Sequence, residues 1–332
     1  MSALYPDVAS MLRAHGINGA EQPFPSADGY SGARFSAVMR GQERFVLKRI
    51  TADDWPLADV HDPDYREAQF AVADVPLPAS VDVATIAASH DGPGRALLMR
   101  DVSDGMLVGS EVISEDIATR VLHGIAALHA LYWGAPPNAP VNWYPPAPRL
   151  TLISPAIGRM LVEQGRDFGL ERGWQSFARR KPKLWRRIAP LFDDPSPIVN
   201  MMATRPQTLL HGDLKFGNMS IEGERLILID WSGVTVGPMA SDIGWFLPVN
   251  SSRLPWTLDE TLERYRDALF RALIKRDLDL SSVDWAAQLV IIYVVGLMLY
   301  GWGKALDADG GNGDELDWWC ERATAALNMC GL

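Results

Sequence analysis

Residues 209–247 read LLHGDLKFGNMSIEGERLILIDWSGVTVGPMASDIGWFL. Asp213 is followed five residues later by Asn218, and Asp230 stands at the end of an apolar, strand-like run. Residues 219–221 suit a short strand, 222–224 (Glu-Gly-Glu) a tight turn, and 225–229 the returning strand. Such a hairpin brings Asn218 and Asp230 to one end, next to the loop carrying Asp213. Two carboxylates and a carboxamide gathered in one place are costly unless a cation lies between them. Oxygen ligands of this kind suit Mg²⁺, which is commonly held by one or two carboxylates together with substrate phosphates.

The run His211-Gly212-Asp213-Leu214-Lys215-Phe216-Gly217-Asn218, with Ile229-Asp230-Trp231 after it, resembles the catalytic core of the aminoglycoside phosphotransferase and choline kinase-like family. The order Asp, Asn, strand, Asp also matches the catalytic loop and metal-binding Asp of protein kinases. The resemblance is specific over residues 209–246, looser before them and architectural in the remainder. It implies an α+β, bilobal protein kinase-like fold. A small N-terminal lobe with an antiparallel sheet would take residues 1–104 and bind the nucleotide. A larger, mainly helical lobe would take residues 105–332, with catalytic and substrate-binding roles.

Bulk properties fit that expectation. A chain of 332 residues is long enough for about two domains, and 48% apolar content supplies material for sizeable cores. The formal net charge of −10 argues against a general nucleic-acid binder, whose surface needs clustered positive charge, and suits a cationic partner. Cys320 and Cys330 carry neither zinc spacing nor a disulfide framework and suit a reduced compartment. The first residues lack a basic start followed by a long apolar core, so no signal peptide is expected. The most apolar stretch, 289–300, is too short for a span of about 20 residues and reads as a buried helix. The expectation is a cytoplasmic protein that does not enter a membrane.

Ahead of the catalytic stretch, residues up to about 20 suit an amphipathic helix with Val8, Met11 and Leu12 on one side. Residues 33–40 and 44–50 read as a strand–turn–strand, with Phe45, Leu47 and Arg49 facing one way and Val46, Lys48 and Ile50 the other. The resemblance makes Lys48 the lysine that contacts the α/β-phosphates. Gly29 and Gly32 would belong to the loop covering the phosphates; as residues alone they read equally as turn glycines, because the full Gly-x-Gly-x-x-Gly pattern is absent. Residues 62–73 suit a helix, with Pro63 fitting its first turn and Glu67 the acid to pair with Lys48. Residues 96–101 form a strand leading to the inter-lobe linker, where Arg100 replaces the family's frequent acid. Met99 and Val102 are candidate apolar neighbours of the adenine, with core packing as the alternative.

The remainder reads as helical. Residues 111–133 carry an apolar stripe, with His123 and His129 packed within the helix. Residues 136–148 contain six prolines and suit an ordered loop. A helical insert over 155–194 bears the basic residues Arg179, Arg180, Lys181, Lys183, Arg186 and Arg187, read as a solvated face. Helices over 258–276, 283–306 and 315–329 follow. Asp307, Asp309 and Asp314 suit either a substrate cleft or helix-terminal charges.

The implied reaction is ATP- and Mg²⁺-dependent transfer of the γ-phosphoryl group to a hydroxyl of a small molecule. Asp213 would receive the hydroxyl proton, Asn218 and Asp230 would hold Mg²⁺, and Lys215 would stabilise charge on the transferred phosphate. His211 would brace the loop, Asp242 would hold it from the following helix, and Trp231 would pack. Two other classes compete. A protein kinase is disfavoured because Asp242 follows Asp230 by only twelve residues, leaving no long activation loop. A nucleotide-binding pseudoenzyme is disfavoured by the presence of Lys48, Asp213, Asn218 and Asp230 together. Nothing in the sequence identifies the acceptor or the oligomeric state.

Overall fold

The structure, a computed structural model, describes residues 4–24, 32–51, 62 and 65–332. In chain order the described residues form α1 (Val8–Ala14), β1 (Gln22–Pro23), β2 (Arg34–Arg40), β3 (Glu43–Ile50), α2 (Arg66–Ala73), β4 (Val81–Val83), β5 (Thr85–Asp91) and β6 (Gly94–Arg100). Helices α3 (Glu115–Leu131), α4 (Pro146–Thr151), α5 (Pro155–Glu163), α6 (Leu170–Arg180), α7 (Pro182–Asp193) and α8 (Ser196–Ala203) follow. The chain continues with β7 (Thr208–Leu210), β8 (Met219–Glu222), β9 (Arg225–Leu228) and β10 (Thr235–Gly237). It ends with α9 (Met239–Asn250), α10 (Leu258–Ile274), α11 (Trp285–Asp309) and α12 (Asp314–Cys330).

These elements pack as two compact units. The first takes the described residues of Met1–Gly109 with Pro137–Trp143 and Phe216–Val234; the second takes Ser110–Pro136, Tyr144–Lys215 and Thr235–Leu332.

In the first unit, β1-β2-β3-β6-β5 form an antiparallel sheet. Side chains alternate across a strand, so β3 feeds two cores. Phe45 and Leu47 pack with Met11 and Ile17 of the N-terminal segment, while Val46 packs with Ala68, Leu97, Met99 and Ile227 on the opposite face. Burying each large apolar side chain contributes about 1.5–3 kcal/mol. The hairpin β8–β9 extends a second sheet, in which β9 runs parallel to β4 with Asp82 opposite Ile227. Its turn is tighter than the expected three residues: Glu222 pairs with Arg225, and Gly223 takes a left-handed φ of 59°. Arg100 ties the two sheets together, reaching Glu222 at 2.8 Å and Asp82 at 3.2 Å. Two helices begin later than the sequence suggests. The N-terminal one is limited to Val8–Ala14, and α2 starts at Arg66, with Pro63 outside the described residues.

In the second unit, α11 is the central helix, with α6, α9 and α12 packed on it. It corrects the expected short apolar segment. The helix runs 25 residues and is long and apolar enough, by length and composition, to cross a membrane, but 61% of that apolar window is buried inside the protein. Gly244 on α9 and Gly296 on α11 let the two backbones touch, since a β-carbon at Gly244 would lie 3.1 Å from the Ile292 carbonyl oxygen. α3 is capped by Ser114, whose Oγ accepts from Ile117 N at 3.3 Å, and packs its buried face on α10. A capping box of Thr257 and Glu260 starts α10.

Three expectations are corrected in this unit. His129 is fully buried, but His123 is on the exposed face of α3. The proline-rich stretch is a loop only as far as Pro145; Pro146, at N1, opens α4, where its missing N–H costs nothing. The basic cluster is not merely a solvated face. Arg180 pairs with Asp309 at 2.8 Å, Lys181 pairs with Asp317, and Arg187 donates to the C-terminal Leu332. These bonds lash the insert to α11 and α12, and place Asp309 among helix-terminal charges. Among the described residues both cysteines are free, and burial pushes the Cys320 thiol up to about 12.

Candidate active site

The candidate residues fall into two constellations, one in each unit. In the first unit, β3 carries Lys48 and α2 carries Glu67, both buried. Lys48 Nζ lies 2.7 Å from Glu67 Oε2 and 2.9 Å from Asp230 Oδ1. Burial opposes the ammonium charge, but Asp230 and Glu67 together outweigh it, so Lys48 stays protonated well above its ordinary value. The lysine is therefore a fixed positive charge aimed at Asp230.

Asp230 stands immediately after β9 in a left-handed conformation, φ 61° and ψ 63°, uncommon for a residue with a β-carbon. The turn beyond it is clamped. Trp231 stacks on Phe70 of α2 at 4.4 Å between ring centroids and donates from Nε1 to the Leu228 carbonyl at 3.2 Å. Arg66, also buried, donates to the Ser232 carbonyl at 3.0 Å and to the Asn142 carbonyl. One face of α2 thus holds both the lysine and the turn that presents Asp230. Asn218 sits at the same end of the hairpin, its carbonyl accepting from Ile229 N at 3.0 Å. The carboxamide and carboxylate expected to share a cation are thereby placed at one end of β8–β9.

Burial and the Asp230 charge push the Glu67 carboxyl up against the pull of Lys48, which leaves Asp230 as the acid of this group that faces outward. The Asp230 side chain keeps 27% of its surface exposed. An accessible carboxylate beside a carboxamide residue is an oxygen donor set that fits Mg²⁺.

Four other residues are expected at the nucleotide. Met99 and Val102 are in the core with Val46, Ala68 and Ile227, which is the packing alternative. Gly32 takes a left-handed φ of 78°, a conformation only glycine adopts easily, and Gly29 lies outside the described residues.

In the second unit, β7 pairs with β10 and delivers the chain to His211, Gly212 and Asp213. Asp242, on the first turn of α9, is completely buried and receives this loop. Its Oδ2 accepts from His211 N and its Oδ1 from Gly212 N, each at 2.9 Å. Gly212 has φ 84°, so a side chain there would be strained. His211 Nδ1 in turn accepts from Asp213 N at 3.1 Å. Loop bracing by His211 and Asp242 is thus visible bond by bond.

Two buried groups behind Asp242 were not foreseen. His129 places Nε2 3.2 Å from Asp242 Oδ2 and Nδ1 2.7 Å from Tyr265 Oη. A carboxylate only accepts, which assigns the donor hydrogen to Nε2 and leaves Nδ1 to accept from the tyrosine hydroxyl. Burial and the Asp242 charge both push Tyr265 well above its ordinary value, keeping it a donor. Burial alone would raise the Asp242 carboxyl, but the hydrogen bond from His129 and the nearby Arg149 charge help hold it below its ordinary 3.8.

Two side chains reach the Asp213 carboxylate among its contacts. Lys215 Nζ lies 3.1 Å from Oδ2, and Trp245 Nε1 donates to Oδ1 at 2.8 Å. The lysine was expected beside Asp213; the tryptophan was not. Trp245 follows Asp242 by three residues and shares its helix face, a spacing that places it near the loop without revealing its bond to Asp213.

A model described as the phosphotransferase enzyme family matches residues 25–285. Among curated proteins, none matches the sequence. Of the solved structures, a spectinomycin phosphotransferase in complex with ADP and spectinomycin aligns with a TM-score of 0.50 at 12% identity, covering 96% of this chain and 95% of that one. An aminoglycoside phosphotransferase in ternary complex with ADP and hygromycin B gives 0.49 at 14% identity, covering 96% of each chain. A choline kinase from Streptococcus pneumoniae gives 0.47 at 9% identity, covering 98% and 97%. The likeness to the first is one of fold, in keeping with the kinase-like α+β class.

Proposed function

This chain belongs to the phosphotransferase enzyme family, a small-molecule kinase by that membership, and from that premise we propose that it moves the γ-phosphoryl group of ATP, with Mg²⁺, to a hydroxyl of a small molecule. The reading rests above all on Lys48, a buried ammonium held at once by Glu67 at 2.7 Å and Asp230 at 2.9 Å. A pre-oriented cation beside an acid that can take a metal is what a polyphosphate needs. Transfer of this kind relies on positioning and charge neutralisation more than on covalent help.

Lys48 would contact the α/β-phosphates. Asn218 and Asp230 would hold Mg²⁺, which would supply neutralising charge at the phosphate oxygens. Asp213 accepts a hydrogen bond from the acceptor hydroxyl and receives its proton as the new O–P bond forms and the bond from the γ-phosphorus to the bridging oxygen breaks, releasing ADP. Lys215 offsets charge on the moving phosphoryl group. Under this reading the sheet-bearing unit serves the nucleotide, and the helical unit supplies the base and the acceptor surface. Two free cysteines fit a cytoplasmic setting, where ATP is also plentiful.

The test is ADP release from Mg·ATP against a panel of hydroxyl compounds including choline, spectinomycin and hygromycin B, with Asp213→Ala as the blank. Stimulation by one compound, lost in the variant, identifies the acceptor class. Asp230→Ala is expected to abolish Mg²⁺-dependent turnover, whereas Asp213→Ala spares nucleotide binding. Wild-type turnover in both variants would overturn the assignment, and tight Mg·ATP binding without stimulation by any acceptor would favour a pseudoenzyme.

A further inference from the structure

The indole of Trp245 points its only polar atom at the carboxylate proposed as the base. Nε1 donates to Asp213 Oδ1 at 2.8 Å, while Lys215 Nζ takes Oδ2 at 3.1 Å. Indole N–H is a donor that neither accepts nor ionises near neutral pH, so this contact is one-directional. It fixes the carboxylate rotation without adding charge, and it keeps Oδ1 as a standing acceptor. Each oxygen thus has a donor beside it, and the plane of the carboxylate is set by the pair.

The tryptophan is itself immobilised. It stands one helical turn after Asp242, on the same face of α9, and that face also receives the His211 and Gly212 amides. Tyr300 of α11 meets its ring edge-on, with centroids 5.9 Å apart and planes at 83°. The close Gly244–Gly296 approach locks α9 against α11. Asp242 therefore sets the loop backbone and Trp245 sets the side chain, both from one rigid helix. We infer that Trp245 is a positioning residue for phosphoryl transfer, acting through Asp213 to select the carboxylate orientation in which Asp213 takes the acceptor proton. The inference rests on the assignment of Asp213 as base.

The experiment uses the full chain and pairs a rate with a signal that does not depend on turnover. Trp245→Phe keeps an aromatic ring against Tyr300 and deletes the N–H. With Mg·ATP and water as acceptor, kcat for ADP release should fall about 10-fold, with KM for ATP and the thermal midpoint unchanged. In an Asp213→Asn background the same substitution should cost nothing further, because the two residues act as one unit. In ¹⁵N-indole-labelled protein, the Trp245 Nε1–H resonance, identified by its loss in Trp245→Phe, should shift on Asp213→Asn. No shift would overturn the contact and the inference with it. A shift with unchanged kcat in Trp245→Phe would overturn the positioning role alone. A shift with full turnover in Asp213→Asn would remove Asp213 as base, and so overturn the functional reading as well.

Discussion

His129 Nε2 lies 3.2 Å from Asp242 Oδ2, and neither side chain reaches solvent. Asp242 also carries the two loop amides, so one buried carboxylate collects three donors at the root of the candidate catalytic loop. Because these partners hold its folded-state value below 3.8, the ionised form stabilises the fold above that value. That contribution is lost as pH falls through the depressed folded value. Asp242→Asn should therefore unfold about 2–4 kcal/mol more easily at pH 7, since a carboxamide brings its own donors to a site built of donors. It should also lose stability less steeply than wild type below about pH 4. Urea unfolding at a series of pH values measures both effects.

Lys48 gives a second prediction. Lys48→Met strands Glu67 as a buried carboxylate beside Asp230, and breaking such a pair costs about 3–5 kcal/mol. Adding Glu67→Gln removes the stranded charge, so the double variant should be more stable than Lys48→Met alone. A double-mutant cycle by denaturant unfolding checks this, and simple additivity would contradict the coupling.

Gly296 gives a third. A β-carbon there would lie 2.5 Å from the Trp319 ring and 2.9 Å from the Gly244 carbonyl oxygen. Gly296→Ala should lower stability by about 1–3 kcal/mol through overpacking, despite alanine's better helix propensity. Thermal unfolding measures it; a rise in midpoint would mean that α9 and α11 separate at little cost.

Phe70 gives a fourth. Its ring stacks on Trp231 and is buried against the turn that follows Asp230. Phe70→Ala should cost about 3–5 kcal/mol and weaken ATP binding in proportion to the loss of order in that turn. Calorimetry and nucleotide titration read the two effects separately.

The legible part of this protein was the part written in local spacing. The hairpin, the placement of Asn218 and Asp230 at its end, and the two faces of the Lys48 strand all follow from period-two alternation and a turn. Asp242 was readable because it lies on the first turn of a helix soon after the loop. Glu67 was reachable as an acid on the one helix between two strands. What escaped depends on long-range packing. The parallel pairing of Val81–Val83 with Leu226–Leu228 joins residues with no shared local pattern. His129 and Tyr265 meet Asp242 only because α3 and α10 pack together, and Trp245 reads as another apolar helix residue until its N–H is seen to face a carboxylate.

The first unit is assembled from three separated stretches of chain, which gives synthesis a timetable. Its core includes Ile227, packed with Val46 and Met99, yet that residue lies in the segment Phe216–Val234. After Gly109 another 125 residues must be polymerised before the segment is complete. At about 5–20 residues per second that is a delay of roughly 6–25 s. During that interval β4, whose ladder partner is β9, has no strand to pair with, and the apolar face that Ile227 covers is open. That window closes only when residues 216–234 have been made and can pair with β4 and cover the face.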